Sequence, residues 1–320
     1  MAKLKEIEDL IEIQNLNHPL VRFETLKEIS YKGSTYPIHG ITLGSTDKTL
    51  PTLGLIGGVH GLERIGSQII ICFLKSLINQ FSWDKTLLEN FSNYRIVCIP
   101  VLNPAGMATF TRSNPNHVDL MRNAPVEATG KVLPLVSGHR LSPLLPWYRG
   151  KEGELQVESE VLINFVKQEI FPSKLSIVLD IHSGFGLQDQ IWYPYAKSQD
   201  PFPLLKEILR LKELLDKSYP HHIYKVEAQS ANYMTNGDLW DYLFDLHQSL
   251  QKNESLFIPL TLELGSWSWI KKNPLQFFSK LGFYHPIKEH RHSRIMRRHL
   301  HLIDFLMRAT KNHESWSGIS

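Results

Sequence analysis

A buried strand followed by a tight turn is expected from residues 53–63, which read Leu53-Gly54-Leu55-Ile56-Gly57-Gly58-Val59-His60-Gly61-Leu62-Glu63. The apolar run predicts a strand over about 52–59, and its glycines permit unusual backbone angles at the turn. The turn places an imidazole and a carboxylate three residues apart, and both groups are ordinary zinc ligands. A catalytic zinc site with two histidines and one glutamate keeps one position open, so His60 and Glu63 predict a third ligand elsewhere.

Strands and helices alternate along the rest of the chain. This order favours right-handed parallel crossovers. We expect an α/β fold: a single domain with a mixed, mostly parallel twisted sheet flanked by helices on both faces. The expected strands lie near 36–43, 52–59, 94–102, 175–181, 221–227 and 257–263, and the expected helices near 66–81, 155–169, 202–216, 237–251 and 287–309. Residues 103–153 form a long irregular segment, and segments of that length are usually functional.

The composition is that of an ordinary globular protein, with 42% hydrophobic and 21% charged residues among 320. No apolar stretch reaches the roughly 18 residues needed to span a bilayer. The N-terminus mixes acidic and basic residues instead of resembling a signal peptide, so we expect a cytoplasmic protein.

The formal net charge of +3 is close to balanced and implies neither a nucleic acid nor a membrane surface as a partner. Residues 285–301 are locally basic and rich in histidine. No aromatic stacking platform accompanies these charges, and we expect a solvated helix face.

Chemically reactive side chains follow several of the expected strands. In open α/β sheets, ligands bind beyond the carboxyl ends of the strands. His182 follows the strand at 175–181 and supplies the missing third ligand. Glu263 ends the strand at 257–263 and supplies a carboxylate that can deprotonate a zinc-bound water.

With these motifs the chain resembles the M14 family of zinc carboxypeptidases, over roughly residues 35–310. The resemblance implies that family's fold and one Zn²⁺ per chain. It also implies a lead-in of helix and strand at 1–34, a catalytic domain at 35–312 and a C-terminal tail at 313–320. The matching motifs are His60-x-x-Glu63, Asn103-Pro104-x-Gly106, Arg112-x-Asn114, Val118-Asp119-Leu120-x-Arg122-Asn123, His182-Ser183 and Thr261-x-Glu263-Leu264.

The resemblance assigns a role to each matching residue. It implies that His60, Glu63 and His182 bind zinc, while Asp119 orients the first zinc histidine. Glu263 is the implied general base, which activates water and then protonates the leaving amine.

Further residues are implied to contact the substrate. Arg112 would polarise the scissile carbonyl, and Arg122, followed by Asn123, would bind a substrate carboxylate. Tyr242 is the expected substrate-capping phenol, with Tyr233 as a nearby rival. One position departs from the family: Met121 stands where an asparagine usually precedes the arginine, so a neutral hydrogen-bond donor is lost.

We therefore expect a zinc-dependent amide hydrolase of carboxypeptidase type, acting on a peptide or peptide-like substrate with a free carboxylate. The alternatives are an N-acyl amino acid deacylase of the aspartoacylase or succinylglutamate desuccinylase type, and a murein-peptide amidase. A zinc-binding pseudoenzyme is the non-enzymatic alternative. Met121 puts strict specificity for a C-terminal carboxylate in question.

Overall fold

The computed structural model describes residues 4–251 and 255–318. Parts of the expected lead-in and tail, residues 1–3 and 319–320, lie outside the described residues, and the domain limits stay a prediction. The strands are β1 (Val21–Tyr31), β2 (Ser34–Gly44), β3 (Thr52–Gly57), β4 (Arg95–Ile99), β5 (Leu175–Phe185), β6 (Gln190–Tyr193), β7 (Lys225–Ala228) and β8 (Leu256–Gly265). The helices are α1 (Lys5–Asn15), α2 (Arg64–Gln80), α3 (Lys85–Asn90), α4 (Pro104–Thr109), α5 (Val157–Glu169), α6 (Leu205–Ser218), α7 (Leu239–Gln251), α8 (Trp267–Lys272) and α9 (Glu289–Lys311). Short 3₁₀ helices occur at Leu120–Arg122, Gln229–Ala231, Pro274–Phe278 and His313–Ser315.

The strands form one eight-stranded sheet in the order β1-β2-β4-β3-β5-β8-β6-β7. Its centre is parallel, because β3 pairs in parallel with β4 and β5, and β5 pairs in parallel with β8. A further parallel pair joins β6 to β7, whereas β1–β2, β2–β4 and β6–β8 are antiparallel. The expected α/β fold with a mixed, mostly parallel sheet flanked by helices is confirmed.

Strands β3 and β8 are buried along their whole length and β5 along all but its last two residues, as expected for parallel strands with both faces covered. Helix α2 packs against β3 and β5, and α7 packs against β8. Two strands extend further than the sequence indicated, since β5 ends at Phe185 and β8 at Gly265. His182 therefore lies within β5 instead of after it, and Glu263 lies two residues before the end of β8 instead of at its last position.

No bounds were predicted from the sequence for several elements: β1, β6 and the helices α1, α3, α4 and α8. Strand β1 lies at the sheet edge with no fully buried residue, and a bulge between Thr25 and Lys27 interrupts its alternation. Strand β6 has only four residues. In the described part of the chain, none of the helices has both the length and the apolar character needed to cross a membrane.

Candidate active site

The turn after β3 is built from glycines that allow two chain segments to meet. Gly58 has a φ of +64°, a region that side chains disfavour. A Cβ added at Gly61 would lie 2.2 Å from the carbonyl carbon of Gly106 in α4, so that contact requires glycine. The turn directs the side chains of His60 and Glu63 to the carboxyl end of the central strands.

His60, Glu63 and His182 form a buried cluster. The Oε1 atom of Glu63 lies 2.8 Å from Nδ1 of His60, and its Oε2 atom lies 2.8 Å from Nδ1 of His182. One ligand atom from each residue lies within 4.8 Å of the other two. Two imidazole nitrogens and a carboxylate oxygen are a donor set that Zn²⁺ accepts.

A buried aspartate holds each imidazole from its other side. Nε2 of His60 lies 3.0 Å from Oδ1 of Asp119, and Nε2 of His182 lies 2.8 Å from Oδ2 of Asp180. Carboxylates in this position fix which ring nitrogen faces a metal ion. Both Nδ1 atoms are therefore directed to the cluster, which fits a bound zinc.

The charges within the cluster also fit a cation. Although burial alone would lower it, Asp180 and Glu63 raise the pKa of His182 well above its usual range. Although burial alone would raise it, His60 and His182 lower the pKa of Glu63, so its carboxylate is ionised. Since a ligating histidine is neutral, a bound metal ion would replace the imidazole proton between these groups.

Glu263 lies next to the cluster because β8 pairs it in register with His182 on β5. Its Oε1 atom accepts a hydrogen bond of 3.0 Å from the backbone N–H of Phe185. Burial, reinforced by the Glu63 carboxylate, raises the pKa of Glu263 to about 8. A cation at the cluster would act in the opposite direction. A carboxylate whose pKa is tuned in this way is suited to proton transfer.

Two arginines reach the cluster from the irregular segment 103–153. Arg112 donates from Nη1 to Oε1 of Glu63 (2.8 Å) and from Nε to Oδ2 of Asp119 (3.1 Å). Arg122 donates from Nη1 to the same Asp119 oxygen (3.0 Å). Although burial alone would raise it, the guanidinium groups of Arg122 and Arg112 hold the pKa of Asp119 well below its usual range.

A cavity of about 370 Å³ opens over the cluster, and Glu263, Arg112 and Arg122 line it as well. Met121 also lines this cavity next to Arg122, where it offers a thioether and no N–H. The other lining residues are Leu133, Val136, Trp147, Ser183, Gly184, Phe185, Trp192, Gln229, Asn232, Tyr233, Thr235, Asp238, Thr261, Trp267 and Tyr284. We call this cavity the catalytic cavity. It combines the metal-binding cluster with the two arginines and with apolar lining residues.

Asn123 and Tyr242 lie apart from the other expected site residues. Asn123 donates to the carbonyls of Arg149 and Glu154 and accepts from the N–H of Gln156, so its amide holds neighbouring loops together. Tyr242 packs on α7 against the hydrophobic core. Neither is among the described residues that line the catalytic cavity. The substrate contacts expected of Asn123 and Tyr242 stay predictions, and in this structure both side chains contact other parts of the fold.

Three residues that the sequence did not single out as site residues lie at the site. Tyr233, which was only a rival to Tyr242, lines the cavity and packs against Phe185 with ring centroids 5.6 Å apart. Asp238 lines the same cavity at the start of α7. Asp180 could have been found from its position two residues before His182, since alternate residues of a strand share a face.

Comparison with known proteins agrees with this geometry. A family model described as zinc carboxypeptidase matches residues 12–266. Bovine carboxypeptidase A1 is 24% identical over 275 residues, which cover 77% of this chain and 62% of that protein. Carboxypeptidase SOL1 of Arabidopsis thaliana is 23% identical over 234 residues, covering 70% of this chain and 42% of that protein. The chain thus spans less than two thirds of the length of these relatives.

Solved structures share the fold. The crystal structure of thrombin-activatable fibrinolysis inhibitor superposes with a TM-score of 0.70 at 20% identity, over 96% of this chain and 73% of that one. None of the reported matches favours the deacylase, amidase or pseudoenzyme alternatives. The zinc cofactor expected from the sequence agrees with both the matching family and the His-Glu-His cluster. The family model covers most of the chain, and by this criterion the chain belongs to the zinc carboxypeptidase (M14 peptidase) family.

Proposed function

We propose that this chain is a zinc metallocarboxypeptidase that hydrolyses a peptide bond next to a free carboxylate. The observation that carries the proposal is the sharing of Glu63 between two imidazoles in a cavity that also contains Glu263. One buried site thus combines a place for a metal ion with a carboxylate able to move protons.

Each side chain at the cluster has a separate proposed task. Zinc held by His60, Glu63 and His182 would supply Lewis-acid chemistry and lower the pKa of water. Glu263 accepts a proton from the attacking water and returns it to the leaving amine, so the proton is conserved. Arg112 stabilises the negative charge that develops on the carbonyl oxygen.

Arg122 is the proposed binding group for the substrate carboxylate. It donates from Nε to the carbonyl of Val136 (3.0 Å) and from Nη1 to Asp119, which fixes the plane of its guanidinium. Met121 contributes no hydrogen bond beside it. We therefore propose that the cationic fork of Arg122 supplies most of the carboxylate affinity, with Tyr233 as the phenol that covers the bound substrate.

Asp238 supports a preference for a basic side chain in the substrate. The residue is 3% exposed, and its Oδ1 caps α7 by accepting from the N–H groups of Trp240 (2.9 Å) and Asp241 (3.0 Å). Among the described residues, no Lys, Arg or His nitrogen forms an ion pair with it within 4.0 Å. Burial raises the pKa of Asp238 to about 6. Because buried carboxylates are normally paired, a substrate ammonium or guanidinium group fits this part of the cavity.

The decisive experiment compares wild type with Glu263→Gln, using peptides with free or amidated C-termini. The proposal expects about one zinc per chain in both proteins, with hydrolysis of free-carboxylate peptides falling by about 10²–10⁴-fold in the variant. Glu160→Gln, an exposed change on α5, is the matched control and should keep full activity. Equal hydrolysis by wild type and Glu263→Gln would refute the proposed base. The cytoplasmic location and the absence of nucleic-acid partners stay predictions.

A further inference from the structure

A second, strongly basic cavity of about 160 Å³ lies between α8 and the first half of α9. Its basic lining consists of Lys272, His290, Arg291, Arg294 and Arg298, and no carboxylate of the described residues lines it. The locally basic segment expected from the sequence to be a solvated helix face therefore contributes side chains to a concave site. We refer to it as the basic cavity.

Most of the charge in the basic cavity is not neutralised by the protein. Arg298 donates a hydrogen bond from Nη1 to Oδ2 of Asp189 (3.1 Å), and Arg291 donates one from Nη1 to the carbonyl of Trp269 (2.8 Å). For Lys272 and Arg294, no carboxylate within residues 4–251 or 255–318 forms an ion pair within 4.0 Å. Two cations thus remain available to a ligand.

This arrangement is unfavourable for the helix that carries it. Arg291, Arg294 and Arg298 follow one another at spacings of three and four residues, so their like charges share one face of α9. Arg291 also lies in the first turn of the helix, where the macrodipole disfavours cations. A bound anion would offset both effects at once.

The basic cavity shares a short helix with the catalytic cavity. Trp267 of α8 lines the catalytic cavity and donates its indole N–H to the carbonyl of Gly184 (2.8 Å), whereas Trp269 lines the basic cavity. Ser268 lies between these two tryptophans and donates from Oγ to the carbonyl of Gly265 (2.7 Å). Gly265 follows Glu263 by two residues in β8. Helix α8 is therefore a wall common to both cavities.

We propose that the basic cavity binds a small anionic group, a phosphate or a carboxylate, carried either by a free ion or by the acidic portion of an extended substrate. Guanidinium groups suit both anions because their N–H donors match paired oxygen atoms. The substrate source rests on the proposed function, whereas anion binding itself does not.

Calorimetric titration of the full chain with inorganic phosphate tests the binding. The catalytic cavity also contains cations, so the measurement compares two double variants. Lys272→Gln with Arg294→Gln removes charge from the basic cavity, and Lys271→Gln with Arg297→Gln removes equal charge from exposed positions on the same helices. We expect the first variant to bind at the basic cavity about tenfold or more weakly, since charged hydrogen bonds are lost, and the control to bind like wild type.

Thermal unfolding gives an independent reading that shows whether each variant is folded. Phosphate should raise the melting temperature of wild type and of the control more than that of the basic-cavity variant. Identical phosphate affinity, stoichiometry and thermal response in the two double variants would overturn the proposal, as would the absence of saturable binding by wild type.

Two peptides distinguish the sources of the anion: they share a C-terminal residue but carry either Glu or Gln upstream of the scissile bond. If the substrate occupies the basic cavity, the preference in kcat/KM for the Glu peptide falls in the Lys272/Arg294 variant and not in the control. If phosphate binding falls while the peptide preference is unchanged, the ligand is a free anion. Failure of wild type to cleave either peptide would refute the proposed function and leave the phosphate result standing.

Discussion

Nε2 of His60 lies 3.0 Å from Oδ1 of Asp119. The other oxygen of the same carboxylate accepts hydrogen bonds from Arg112 and Arg122. One buried aspartate therefore connects the metal-binding cluster with both proposed substrate-binding cations. Asp180, by contrast, joins His182 to the indole N–H of Trp240 and touches neither arginine.

This difference predicts unequal effects of Asp119→Asn and Asp180→Asn. Each change removes a carboxylate behind a zinc histidine, so each should weaken zinc affinity by about 10–100-fold. With zinc in excess, Asp180→Asn should recover most of its activity. Asp119→Asn should not recover, because both arginines also lose their anchor. Competition with a chromophoric chelator measures the affinity, and peptide hydrolysis at saturating zinc measures the recovery. Equal recovery by the two variants would contradict this account of Asp119.

Tyr233 and Tyr242 provide a paired test of the substrate-covering phenol. Tyr233 lines the catalytic cavity, whereas Tyr242 packs against the core on α7. Tyr233→Phe removes only a hydroxyl and should lower kcat/KM by about fivefold to tenfold, the loss of one hydrogen bond to substrate. Tyr242→Phe should leave kcat/KM unchanged. The opposite ranking of the two variants would assign the role to Tyr242.

The metal-binding cluster could be predicted because strand ends in a parallel sheet meet at one edge. The apolar runs before His60, His182 and Glu263 are long and uninterrupted, so these strands and their order along the chain could be predicted. The bounds of edge strand β1 could not be predicted, because its partial burial and its bulge remove the alternation of buried and exposed residues by which a strand is recognised.

Side-chain direction outside the strands was the weaker part of the prediction. Asn123 follows Arg122 directly, yet the 3₁₀ turn that ends at Arg122 directs the amide to Arg149 and Glu154 instead of the cavity. Asp238 was overlooked because an acidic residue before a helix is usually only a cap. Its place in the cavity follows from tertiary packing, which spacing along the chain does not reveal.

Asp238→Asn should reduce the selectivity for basic C-terminal residues. Asparagine still caps α7, so the change mainly removes the negative charge. We expect the ratio of kcat/KM for a C-terminal Lys peptide to that for a Leu peptide to fall by about tenfold or more, the value of a charge-assisted hydrogen bond. Asp245→Asn removes the same charge from α7 outside the cavity lining and is the control. A ratio that is the same in Asp238→Asn and wild type would exclude this contact.

His299 makes stability depend on pH at a place remote from the proposed chemistry. It is fully buried in α9, with Nδ1 3.0 Å from the hydroxyl of Tyr224 and Nε2 3.5 Å from Oδ2 of Asp189. Burial lowers the pKa of His299 to about 4 from its usual 6.5, and Asp189 only partly opposes this. Between these pH values the unfolded chain binds the proton and the folded chain does not. Buried, neutral His299 therefore leaves the free energy of unfolding undiminished above pH 6.5. The free energy of unfolding decreases as the pH falls from 6.5 toward 4.

His299→Gln should accordingly flatten the acid side of the stability profile. Between about pH 7.5 and pH 5 this one residue should account for about 2 kcal/mol of the decrease in the free energy of unfolding. Glutamine does not titrate and can still bond to Tyr224, so the variant should lose less stability over that interval than wild type. His301→Gln, an exposed change on the same helix, should retain the wild-type slope. Urea unfolding at the two pH values measures the difference, and parallel profiles for His299→Gln and wild type would show that folding does not lower the pKa of His299.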